Sequence, residues 1–196
     1  RGDVGDLQNY KLLHHSKSEN EFWSFEIKKK INLVVGDPGM GKTELAKSLK
    51  NKCFSKYWTV IISPQEINLF FKQLEECQTS DYVNLFEKFI LYTKYRSLRK
   101  FDKEFFKMCS DQLRVLYVWD ALDEIYTKYL KDLSDLIVLL SEQGFIQWVT
   151  SRKHLKSFLE KKFNTFSLNI SQFNEHEQED YIRKRLDSIV STDKIE

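Results

Sequence analysis

Three segments of this chain carry residue types whose spacing suits the handling of a nucleoside triphosphate. The first, Gly36-Asp37-Pro38-Gly39-Met40-Gly41-Lys42-Thr43, fills every fixed position of G-x-x-x-x-G-K-[ST]. Its glycines let backbone N–H groups turn inward and meet a phosphate without Cβ interference. A helix opening here adds the positive end of its dipole and its unpaired amides. The candidate cofactor-binding run therefore extends from Gly36 through Glu44. Lys42 would reach the β and γ phosphates, and Thr43 would set its hydroxyl on Mg²⁺.

The second segment, Asp120-Ala121-Leu122-Asp123-Glu124, follows a near-continuous apolar run. Asp120 suits holding Mg²⁺ through its water shell, opposite Thr43. Asp123 and Glu124 could orient or deprotonate an attacking water. The third segment, Thr150-Ser151-Arg152, offers a guanidinium that could read the γ-phosphate and stabilise spreading charge. Each has a plainer alternative. Asp120 could cap a strand, Asp123 and Glu124 could be solvated at a helix start, and Arg152 could pair with a surface carboxylate.

Strands must deliver these segments to one place. Ile31–Val35 is a short apolar run directly ahead of the glycine loop. Tyr57–Ser63, β-branched and aromatic and closed by Pro64, reads as a second strand. Ile67, Phe70, Phe71 and Leu74 then recur at helical spacing. Residues 81–98 predict another helix, with Leu85, Phe86, Phe89 and Ile90 on one face, and Phe101, Phe105, Met108 and Cys109 mark a shorter one. All these stripes are expected in the core. Leu113–Trp119 has the pattern of a parallel strand covered on both faces. The helix carrying Leu130, Leu133, Ile137 and Leu140 should stop near Gly144. Phe145–Val149 is a fourth strand, and Phe166, Leu168 and Ile170 alternate as a fifth. Asn174 with Glu177 opens a last helix bearing Ile182, Leu186 and Ile189. Such alternation predicts a parallel sheet with right-handed crossovers, with ligands beyond the carboxyl ends of its strands.

Composition narrows the classes. At 196 residues the chain is one domain of ordinary size. Thirty-one basic against 29 acidic residues leave a net charge of +2, so there is no clear nucleic-acid patch, and the basic region of Lys94, Arg96, Arg99 and Lys100 reads as solvated. Three widely spaced cysteines, Cys53, Cys77 and Cys109, fit reduced, buried thiols in a cytoplasmic protein. No run reaches the length of a membrane span, and no signal peptide is visible. Residues 1–30 read as a lead-in, with Leu12 and Leu13 as modest anchors and His14-His15 solvated. Within it, Phe22-Trp23-Ser24-Phe25 is core bulk or an adenine contact, and Lys28-Lys29-Lys30 is a solvated approach to the first strand. A guanine site would want N/T-K-x-D, yet Thr127-Lys128-Tyr129-Leu130 and Thr93-Lys94-Tyr95-Arg96 both lack the aspartate, so adenine is favoured.

Taken together, VVGDPGMGKTEL, LYVWDALDEI, WVTSR and FNEHEQEDYI resemble the NACHT domain of the STAND nucleotide-binding switches, the group that contains the NOD-like receptors of innate immunity. The first motif is widely shared. The D-[GA]-x-D-E form, paired with a strand ending in T-S-R, is the specific part. The resemblance covers roughly Lys30 to Arg185 and implies a three-layer, AAA-like P-loop NTPase fold with a five-stranded parallel sheet in the order 5-1-4-3-2. It implies an ATP/ADP-controlled switch, closed with ADP and released to self-associate by ATP, through modules outside 31–196. Carried over, Gly36, Gly39, Gly41, Lys42 and Thr43 would hold phosphates and Mg²⁺, Asp120 would serve the Mg²⁺, Glu124 with Asp123 the water, and Arg152 would act as sensor. Ala121 stands where glycine is usual. Nothing after Arg185 supplies the G-x-P segment or winged-helix histidine that close on ADP, so the chain reads as a piece of a longer protein, with weak binding and slow turnover expected. The competing readings are an AAA-like ATPase motor and a P-loop small-molecule kinase.

Overall fold

A computed structural model describes residues 29–53, 56–76 and 82–170, with His176, Glu179, Ile182, Arg183 and Leu186 in helical conformation beyond them. The expectations for Leu12, Leu13, His14-His15, Phe22–Phe25, Lys28, Cys77, Asn174, Glu177 and Ile189 lie outside the described residues.

The described elements are β1 (Ile31–Val35), α1 (Lys42–Cys53), β2 (Trp58–Ile62), α2 (Pro64–Glu76), α3 (Tyr82–Thr93), α4 (Lys100–Asp111), β3 (Val115–Trp119), α5 (Thr127–Gln143), β4 (Ile146–Ser151), α6 (Lys156–Phe163) and β5 (Leu168–Asn169). Single 3-10 turns, Leu122–Glu124 and Lys153–Leu155, follow β3 and β4. All strands are parallel, in the order β2-β3-β4-β1-β5, which read from the other edge is the expected 5-1-4-3-2. Among the described residues no helix is long and apolar enough to cross a membrane.

The strand periodicity of two divides the core. On one face Val34, Leu116, Val118 and Trp148 meet Ala46, Leu49 and Cys53 of α1. On the other, Leu33, Val35, Val60, Ile62, Tyr117 and Trp119 meet the apolar stripes of α2, α3, α5 and α6. Phe86 is the keystone of this larger side. It is 1% exposed, stacks on Trp119 at 5.2 Å between ring centroids, and meets Tyr117 and Phe70 edge-on. Each such ring pair adds about 0.5–1.5 kcal/mol beyond area burial. Fully buried strands still carry polar groups. Gln147 in β4 accepts from Trp119 Nε1 at 2.9 Å and donates to Ile137 O at 2.8 Å, so its amide is satisfied inside the sheet.

Several boundaries differ from the sequence expectation. The helix expected over 81–98 ends at Thr93 and gives way to turns before α4. On α4 the buried residues are Phe106, Cys109 and Ser110, while Phe101, Phe105 and Met108 are 71%, 41% and 42% exposed. The apolar spacing there allowed two faces, and packing against Trp58 of β2 and Tyr95 selects the one centred on Phe106. Leu113 does not begin β3. It adopts φ 56° in the turn closing α4, and its side chain lies where a Cβ on Gly144 (φ +109°) would come within 2.8 Å. Gly144 thus ends α5 at a position that strongly disfavours a side chain. The fifth strand is only two residues long, and Phe166 is 69% exposed.

Candidate functional site

The carboxyl ends of β1, β3 and β4 converge. β1 continues into the glycine loop, where Gly36 N–H still donates to Ser151 O of β4 at 3.1 Å. Gly39 and Gly41 take φ +79° and +81°, and a Cβ on either would meet nothing within 4 Å. The loop is therefore shaped by backbone conformation, and it borders open space. Its end runs into α1, whose first-turn amides have no acceptor within the helix. Lys42 Nζ folds back and donates to Gly36 O at 2.9 Å and Asp37 O at 3.0 Å. An ammonium resting on two carbonyls of the loop itself can transfer to a phosphate at little cost in reorganisation.

Thr43 Oγ1, at the start of α1, donates to Asp120 Oδ2 at 2.8 Å, joining the loop to the end of β3. The other carboxylate oxygen, Oδ1, accepts from Thr150 Oγ1 at 2.7 Å, and Thr150 Oγ1 accepts from Ala121 N–H at 2.8 Å. Asp120 is 9% exposed, and its orientation is fixed by one hydroxyl from the start of α1 and one from the end of β4. This hydroxyl and carboxylate supply the hard oxygen donors that suit Mg²⁺. Ala121 lies in the left-handed region at φ 52° and ψ 56°. A glycine there would relieve about 1 kcal/mol of strain, which accounts for the glycine usual at this position of the motif.

Asp123 and Glu124 sit on the 3-10 turn that follows and differ sharply. The Asp123 side chain is 2% exposed, and both its oxygens are engaged, Oδ1 by Arg152 N–H at 2.9 Å and Oδ2 by Arg152 Nε at 2.8 Å. Glu124 is half exposed and has one looser contact, to Arg152 Nη2 at 3.3 Å. Arg152 is thus held by two carboxylates at the end of β4, and the tighter partner, Asp123, is buried rather than the surface carboxylate of its plainer reading. Lys153 Nζ reaches back to Asp37 Oδ2 at 2.6 Å. Glu44 pairs with Lys47 on the exposed side of α1 at 2.7 Å. Pro38 and Met40 lie in the loop turn closed by Met40 N–H on Asp37 O.

Two contributors were not identified as such in the sequence. Thr150 belongs to the T-S-R segment, yet its role as a relay onto Asp120 needs the β3–β4 register, in which Trp119 pairs with Val149. The Asp37–Lys153 link joins residues 116 apart, and no local signal marks it.

No curated protein matches the chain. Among solved structures it is similar to C. elegans PCH-2 at 15% identity and a TM-score of 0.45, over 94% of this chain and 46% of that one. The chain thus spans about half of that protein's length. A family model described as NACHT domain matches residues 30–188. The chain accordingly belongs to the NACHT family, a family of nucleotide-binding P-loop NTPase domains.

Proposed function

We propose that this chain is the ATP/ADP-binding, slowly hydrolysing switch domain of a cytoplasmic STAND-type signalling protein, with residues 1–30 as lead-in and 31–196 as the nucleotide-binding unit. Nucleotide state would control self-association through modules outside this stretch. The observation that carries the reading is the Thr43–Asp120 hydrogen bond, which unites the end of β3 with the helix start beneath the glycine loop.

In this reading the amides from Gly39 to Thr43 cradle the phosphates, and Lys42 leaves its two carbonyls for the β and γ oxygens. Mg²⁺, when bound with the nucleotide, supplies charge neutralisation between the β and γ phosphates. Thr43 and Asp120 are the residues that would hold it, with Thr150 keeping the Asp120 carboxylate aligned. Glu124 is the better base of the acidic pair, because Asp123 is committed to Arg152 on both oxygens. Arg152 anchors the turn through Asp123 and keeps Nη2 on the exposed side, toward Glu124, as the candidate sensor of the γ-phosphate.

Thermal denaturation with Mg-ATP or ADP tests this. Saturation at 100 times Kd stabilises by about 2.7 kcal/mol, or roughly 5–10 °C for a domain of this size. Lys42→Ala should abolish the shift while the folded baseline persists. A folded wild-type chain that ignores both nucleotides refutes the proposal.

A further inference from the structure

At the amino end of the sheet, opposite the phosphate loop, a groove of about 540 Å³ opens along β2. Among the described residues β2 is the last strand at its end of the sheet, and its outer edge has no strand neighbour. Trp58 N–H donates inward to Arg114 O and Ile62 O accepts inward from Asp120 N–H. Alternate residues of a parallel strand turn their amides to opposite sides, so the N–H and C=O of Thr59 face the open edge. Thr59 itself is among the residues lining the groove.

The two walls differ in chemistry. On the α2–α6 side lie Trp58, Tyr95 and Phe105, with Trp58 at 5.6 Å from Tyr95 and 5.8 Å from Phe105 between ring centroids. Trp58 Nε1 is held by Tyr95 Oη at 2.7 Å, which fixes this aromatic wall. On the rim are Lys50 of α1, Lys56 and Arg114, and among the described residues no carboxylate lines the groove. An extended chain projects alternate side chains to opposite faces. It could seat apolar residues on the rings and acidic ones on the cations while its backbone pairs with Thr59.

We propose that the β2 edge is a docking site for an extended acidic peptide strand in which carboxylate and aromatic residues alternate. The mode is strand addition, with main-chain hydrogen bonds giving affinity and the two walls giving register and charge selectivity. It needs no nucleotide.

Calorimetry on the full chain, with a capped octapeptide alternating glutamate and tyrosine, tests the proposal. The expected result is micromolar binding that weakens with salt, with no binding of the lysine–tyrosine counterpart. Thr59→Pro, which removes the outward N–H while sparing the ladder to β3, should weaken binding about five- to tenfold. Lys56→Glu should weaken it at least tenfold. Absence of binding at millimolar peptide, equal binding of the lysine peptide, or unchanged affinity in both variants overturns the proposal. Self-association of the free chain that Lys56→Glu abolishes would assign the groove to a second copy and overturn it as well.

Discussion

Removing the Arg152 side chain should destabilise the protein even with no nucleotide present. Its Nε meets the Asp123 carboxylate at 2.8 Å, and that carboxylate is 2% exposed. Arg152→Ala would spare the backbone N–H bond at 2.9 Å to Oδ1 and delete only the contact to Oδ2. A hydrogen bond to a charged group contributes about 1.5–3 kcal/mol. Because Arg152 is 42% exposed and screened by solvent, the lower half of that range applies, about 2 kcal/mol. The half-exposed Glu124 contact adds little. At about 2–4 °C per kcal/mol for this chain length, the melting temperature should fall by roughly 4–8 °C. The assay is thermal denaturation of wild type, Arg152→Ala, Asp123→Asn and the double variant. Non-additivity of at least about 1 kcal/mol is expected, because the two residues share one contact. A variant melting within ~1 °C of wild type, or strictly additive losses, would refute the assignment of Asp123 as the anchor and return it to the candidate bases.

Two further outcomes bear on the site and on the fold. Glu124→Gln should lower ATP turnover by a factor of about 10² or more while leaving nucleotide affinity within about threefold; unchanged turnover would move the base elsewhere. For Glu66, burial pushes the carboxyl up, but hydrogen bonds from Lys94 and from the N–H and hydroxyl of Ser63, with the Lys94 charge, outweigh it and hold it below the usual range. A group whose folded-state value is depressed contributes stability above its unfolded value, ~4.3, and loses it as pH falls through the folded value. Denaturant midpoints of wild type and Glu66→Gln should therefore differ at pH 7, and the gap should shrink as pH falls below ~4.3 and through the depressed folded-state value; a gap independent of pH would show that the charge does not contribute.

Local chemistry in the chain determined the strand–loop–helix unit around Lys42, since three glycines, an apolar lead and a helix-forming sequel are read from neighbours alone. It also determined the buried strand that ends in Asp120 and the stop of α5 at Gly144, because apolar runs and a left-handed glycine are local properties. The Ser63-Pro64-Gln65-Glu66 start of α2 has the form of a capping box, a signal as local as the others though it entered no sequence expectation. The sheet order was legible only through the family's motifs, as periodicity does not name a strand's neighbour. Tertiary structure alone decided what the site residues touch. Asp123 and Glu124 are adjacent and chemically alike, yet one is sealed against Arg152 and the other faces water, because the 3-10 turn rotates successive side chains apart beside β4. The same holds for α4, where Phe105 and Phe106 are interchangeable in composition and only tertiary packing, against Trp58 and Tyr95, buries the second. Pairings such as Lys153 with Asp37 and Thr150 with Asp120 link residues 116 and 30 apart, and they arise from strand register, which the chain acquires only when the sheet assembles.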